Sequence, residues 1–292
     1  MKRTLSSAIL FGGVSVVALA TSSAAVESAA WEPVAYVYSV IGSDSLHAYM
    51  FEPVADGDSG THAAVIVFHG GGWHMGEASW SFPKARHLAS LGMVAVAAEY
   101  RLSDQKAVTP LEAMADARAI FRWLRSRADE FDIDPNCIAG YGWSAGAHLA
   151  ACAAIFGDTA PGDSISAAPN ALVLVSPAVN LKDDGWVEKI LMSRAEPGDI
   201  SPADHVRAGL PPTMILIGET DTVTPLRGAQ LFCDRVRAAG NGCEMRVYPK
   251  VGHLFTPSHL RDDGMPQSDP KVSAEATAAA DSFLVGLGYA DW

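Results

Sequence analysis

Basic charge is under-represented in this sequence: 21 Lys and Arg stand against 33 Asp and Glu, a formal net charge of −12. A surface of that sign repels phosphate backbones and anionic headgroups, which argues against nucleic acid as a partner. Long apolar runs are missing as well. The longest, 8–20, falls short of the roughly 20 residues a membrane span needs, so no stable membrane insertion is expected. That run follows Lys2 and Arg3 and ends in small residues, the pattern of a secretory signal peptide over 1–30. The protein is therefore expected in a periplasm or outside the cell, and with no Cys in the leader no lipid attachment is expected. Cysteine is scarce overall. Of Cys137, Cys152, Cys233 and Cys243, the third sits in a helical stretch and the fourth follows the "AAGNG" turn, so Cys233 with Cys243 is the expected disulfide. Cys137 and Cys152 read as small buried residues. His69 and His74 have no third ligand at a recognisable spacing, so no metal site is expected. Repeats, linkers and low-complexity tracts are absent too.

What remains, 31–292, reads as one domain, with enough apolar residues to bury a core. Alternation over 34–51 around "GSDS" predicts an antiparallel hairpin. Strands are then expected over 63–68, 93–98, 137–141, 171–175, 213–217 and 244–248. Helices are expected over 81–91, 110–127, 145–156, 225–239 and 273–285, the last closed by Gly286. The helix at 110–127 carries Leu111, Met114, Ala115, Ile120 and Leu124 on or near one face. Solid apolar strands separated by helices predict an α/β fold, a mostly parallel sheet covered on both faces and made mixed by the hairpin. The polar insertion at 176–210 is too long for a simple connection and reads as a small cap over the sheet's carboxyl edge.

The chemistry concentrates where strands end. "GYGWSAGAHLA" holds Gly142-Trp143-Ser144-Ala145-Gly146, a G-x-S-x-G at a strand-to-helix junction, which makes Ser144 the expected nucleophile. A serine hydroxyl needs a base, and the base needs an orienting group. Asp221 follows the strand in "TMILIGETD" and His253 follows the strand in "EMRVYPKVGHLF", so they are the expected acid and base. Glu219 is the rival acid, and His205 and His259 are rival bases that do not directly follow a strand. His148, one helical turn after Ser144, reads as structural. Three consecutive glycines in "VIVFHGGGWHMG" let backbone approach a developing oxyanion. The N–H groups of Gly71, Gly72 and Ala145 are the expected oxyanion hole, with His69 bracing the loop.

"HGGGW", "GWSAGAHLA", "GETD" and "VGHLF", in this order, resemble the α/β-hydrolase superfamily, specifically secreted esterases related to hormone-sensitive lipase and to bacterial acetyl-xylan and feruloyl esterases. The resemblance runs over roughly 60–290. It implies the α/β-hydrolase fold and a serine carboxylesterase working through an acyl-enzyme, chemistry that needs no cofactor. Trp143 stands where the hormone-sensitive lipase branch usually has an acid, which favours the carbohydrate-esterase side; Ala147 replaces a common third glycine. Trp73, His74, Trp143, Trp186 and Phe255 are the aromatic candidates for substrate contact. No long hydrophobic lid is evident. The expected substrates are short-chain or small aromatic acyl esters, carbohydrate-linked, with an aryl formamidase-like amidase, a long-chain lipase and a non-catalytic binding module as alternatives.

Overall fold

The computed structural model describes residues 32–53, 60–104, 106–157 and 164–290; the expected signal peptide over 1–30 lies outside them. Eight strands form one sheet: β1 (Val34–Ile41), β2 (Asp44–Phe51), β3 (His62–Phe68), β4 (Val94–Ala98), β5 (Ile133–Trp143), β6 (Ala171–Val175), β7 (Thr213–Gly218) and β8 (Cys243–Tyr248). Their order is β1-β2-β4-β3-β5-β6-β7-β8. The β1–β2 and β2–β4 pairings are antiparallel and every other pairing is parallel. This is the expected mixed sheet.

The central strands are continuous apolar runs because both of their faces are covered. Along β3, Ile66 and Phe68 enter one core while Val65 and Val67 enter the other. The first core is closed by α2 (Pro110–Ser126), α3 (Ala145–Phe156) and α5 (Leu226–Ala238), the second by α1 (Phe82–Ala89) and α6 (Pro270–Gly286). Helix α4 (Gly185–Leu191) lies in the 176–210 insertion with two 3-10 turns, Pro197–Ile200 and Pro202–His205. Burying each large side chain of these cores contributes roughly 1.5–3 kcal/mol.

Several elements differ in detail from the sequence expectation. The buried face of α2 is wider than the expected stripe, with Ala113, Ala117 and Phe121 inside and Ala115 only half-buried. Its Asp116 is buried because the Arg101 guanidinium meets the carboxylate at 2.7 Å. Helix α6 begins three residues earlier than expected, because the Asp269 carboxylate caps Lys271 N and Val272 N and Pro270 fits the first turn. It also runs through Gly286, and the left-handed turn falls on Gly288 (φ +79°). Cys233 and Cys243 form the expected disulfide, linking α5 to β8 with Cα atoms 5.7 Å apart. Cys152 is buried, whereas Cys137, near the start of β5, is only half-buried.

Candidate active site

The elbow is enforced by contact rather than by hydrogen bonds alone. Between β5 and α3, Ser144 adopts φ +54° and ψ −120°, and its N–H donates to Val175 O at 3.0 Å. A Cβ on Gly142 would lie 2.5 Å from Gly146 C and O; one on Gly146 would lie 2.2 Å from Phe68 O and 2.3 Å from His69 O. Only glycine lets strand, turn and helix pass that closely. The consequence is a hydroxyl held at the floor of a cavity.

The glycine loop after β3 wraps the same point. Gly71 has φ +121°, and a Cβ there would stand 2.0 Å from Met75 O, within a turn in which His74 N and Met75 N donate to Gly71 O. A Cβ on Gly70 would meet the Trp143 indole at 2.8 Å, so the loop is seated on the elbow. His69 donates from Nδ1 to Gly70 O at 2.6 Å and stacks on Tyr100, whose hydroxyl donates to His69 O. Burial lowers its pKa, which favours the neutral ring.

Ser144, Asp221 and His253, from three separate strand ends, come together. Ser144 Oγ lies 3.1 Å from His253 Nε2, and His253 Nδ1 lies 3.0 and 3.1 Å from the two Asp221 carboxylate oxygens. All three are under 9% exposed. A carboxylate accepts only, so Nδ1 carries the proton and Nε2 presents its lone pair to the serine hydroxyl. Asp221 is itself oriented: Oδ1 accepts from Val223 N and Thr224 N, and Oδ2 from the Thr224 hydroxyl at 2.9 Å. Of the rivals, Glu219 is exposed and accepts from Lys250 N, and His205 donates to Gly198 O beside Phe156. His259 is exposed.

His148 is a brace. The Trp73 indole N–H is a donor only, so it donates to His148 Nδ1 at 3.2 Å, and Nε2–H donates to Ile200 O at 2.8 Å. One buried ring thereby joins the glycine loop, α3 and the 176–210 insertion. Burial pushes its pKa down to about 4. The insertion is pinned again by Arg194, which meets the Glu112 carboxylate at 2.7 Å.

A cavity of about 940 Å³ opens above Ser144, Gly71, Gly72 and His253. His74, Trp143 and Trp186 line it as expected, and so does Trp80, which the sequence did not single out. Trp73 borders it with its indole turned into the core, 3% exposed. Phe255 is a correction: positive φ at Leu254 (+49°) and Phe255 (+64°) swings its ring onto Tyr248, centroids 5.2 Å apart, and Leu254 borders the cavity instead. Sequence reasoning missed Thr224 and Ser176, whose Oγ accepts from Leu254 N at 3.1 Å. Their only signal was adjacency to strand ends. Among the described residues, no group of three or more His, Cys, Asp or Glu is arranged to hold a metal, and no helix is long and apolar enough to cross a membrane.

The BD-FAE family model matches residues 53–172. A probable carboxylic ester hydrolase of Mycobacterium tuberculosis, LipM, is 28% identical over 61% of this chain and 46% of its own length. An acetylxylan esterase of Xylanibacter ruminicola is 26% identical over 66% of this chain and 41% of its own. The chain thus spans about half the length of these curated relatives. Among solved structures, the propionate-bound esterase Est2 of Thermogutta terrifontis is 33% identical with a TM-score of 0.78, covering 89% of this chain and 96% of that one.

Proposed function

The chain belongs to the esterases of the α/β-hydrolase fold, and from that premise we propose that it hydrolyses carboxylic esters through an acyl-enzyme on Ser144. The observation that carries this reading is the continuous relay from Ser144 Oγ through His253 to Asp221, each step 3.0–3.1 Å, at the floor of the cavity. His253 Nε2 takes the serine proton as Oγ attacks the ester carbonyl. The oxygen that gains charge is met by the N–H groups of Gly71, Gly72 and Ala145, where one such donor is worth about 3 kcal/mol. His253 then returns its proton to the leaving alkoxide, and a water, deprotonated by the same ring, releases the acid. No cofactor enters these steps.

The substrates are short-chain or small aromatic acyl esters on a carbohydrate. Two observations support that choice: the cavity exceeds what a small acyl group fills, and Trp80, Trp143 and Trp186 offer flat faces to a sugar or phenolic ring. The acetylxylan esterase among the relatives and the propionate-bound neighbour are in keeping with it. Segment 176–210 acts as the small cap over this space. Export follows from the 1–30 leader, and the Cys233–Cys243 bond suits an oxidising compartment.

The test is a p-nitrophenyl series from acetate to palmitate with ferulate, run on the wild type and Ser144→Ala. Activity should peak at a short chain or ferulate and fall by about 10⁴-fold or more in the variant. A maximum at palmitate identifies a lipase, and silence on esters with turnover of an aryl formamide identifies an amidase.

A further inference from the structure

Nine residues after His253, the stretch "HLRDDG" places a carboxylate between the two loops that carry the acid and the base. Asp262 Oδ2 accepts from Thr222 N and from His253 N, both at 3.0 Å, and Oδ1 accepts from the Thr222 hydroxyl at 2.5 Å. Thr222 is the residue after Asp221. From these contacts we propose that Asp262 is a positioning residue for ester hydrolysis, a tether that holds the Asp221 loop and the His253 loop in register. The inference rests on the reading of Ser144, His253 and Asp221 as the reacting relay.

The tether is needed where backbone pairing stops. The loops that leave β7 and β8 are joined by Glu219 N to Tyr248 O at 2.8 Å and Thr220 N to Val251 O at 3.0 Å. One residue further on stands Asp221, and one residue beyond it the Asp262 carboxylate takes over from the carbonyls as acceptor. The chain is folded back to deliver it: Val251 bridges Pro257, and Ser258 N donates to Lys250 O. Gly252 makes room, because a Cβ there would lie 2.3 Å from Asp262 Oδ2. Burial opposes the charge on Asp262, but the Thr222 hydroxyl and the two amides hold its carboxyl below the usual range, so it stays an acceptor. On the other side, Ser176 Oγ takes the next amide, Leu254 N. The base is thus held by side chains at its own N–H and at its neighbour's; the Thr224 hydroxyl spans acid and base at their side chains, 2.9 Å from Asp221 Oδ2 and 3.2 Å from His253 Nδ1, while Asp262 ties the two loops at their backbone amides.

The three bonds separate geometry from charge. In Asp262→Asn, the amide oxygen in the Oδ2 position accepts from both N–H groups and the NH₂ donates to the Thr222 hydroxyl, so the tether survives without its charge. In Asp262→Ala all three bonds are lost. Expected in the alanine variant is a kcat on p-nitrophenyl acetate lower by roughly 10- to 100-fold, with KM within about twofold, since displaced reacting groups cost turnover more than binding. The low-field proton resonance of His253 Nδ1–H against Asp221 should broaden or disappear. The asparagine variant should keep that resonance and recover kcat to within about threefold. If Asp262→Ala does not fold, Thr222→Val, which removes only the Oδ1 bond, takes its place with an expected loss of about threefold or more in kcat. Alanine with wild-type kcat and resonance, or asparagine as poor as alanine, would overturn the proposal. A wild type that turns over no ester overturns the functional reading instead, and the resonance in the variants still reports on Asp262.

Discussion

The two halves of the site are held by different forces. On the nucleophile side, the glycine loop and the elbow are shaped by backbone pressed on backbone: Gly71 against Met75 O, Gly142 against Gly146, Gly146 against Phe68 O and His69 O, each closer than any Cβ permits. On the acid and base side the work is done by polar side chains. Thr224 orients Asp221, Ser176 takes Leu254 N, and Asp262 takes Thr222 and His253. A steric constraint is all or nothing, because the opposing atoms cannot retreat without moving a strand. A hydrogen bond is graded, and losing one leaves the loop in place but less well aimed.

That contrast is open to breakage, first where the effect should be largest. Gly146→Ala places a methyl group against two carbonyl oxygens of β3 and its loop, so hydrolysis should drop by about 100-fold or more with a lower melting temperature. A variant as active as the wild type would show that the elbow yields, contrary to the steric picture. Next comes the brace at His148. Its folded pKa of about 4 lies below the ordinary value near 6.5, so the unfolded chain takes up the proton first. The stability it contributes is complete above 6.5 and declines as pH falls towards 4, by about 3 kcal/mol at most. His148→Gln keeps a donor and an acceptor but does not titrate; its urea midpoint should gain on that of the wild type between pH 6.5 and 4.5. A gap that is constant with pH would refute the assignment.

Ser176→Ala tests the graded side. With no acceptor, the half-buried Leu254 amide costs up to about 1–3 kcal/mol, and kcat should fall by about tenfold while the fold survives. A loss as deep as that of Gly146→Ala would erase the distinction between the halves. The smallest effect is expected at Glu219, the rival acid, which is exposed and bonded only loosely to Lys250 N at 3.4 Å. Glu219→Gln should leave kcat/KM within about twofold; a drop like that of an Asp221 variant would reassign the acid.

Much of the fold was legible because its signals are local. Apolar strand runs and the elbow motif each announce themselves within a dozen residues, as does the Cys233–Cys243 pair across one turn. The three residues of the relay were legible for the same reason: parallel strands deliver whatever follows them to one edge. What escaped was set by contacts between distant segments. The ring of Phe255 faces Tyr248 rather than the cavity because two residues in the left-handed region turn the loop. The start of α6 is the exception, since its Asp269 cap and Pro270 are local signals that lie ahead of the apolar stripe. Asp262 carries no motif in the sequence, and its three bonds exist only because the loop folds back against Thr222, Gly252 and His253. Sequence by itself determined the sheet, the elbow and the chemistry available, since strand periodicity and glycine spacing are written along the chain. Tertiary structure decided how that chemistry is aimed, because a hydrogen bond between residues 40 apart depends on where two loops meet, and no local pattern records that.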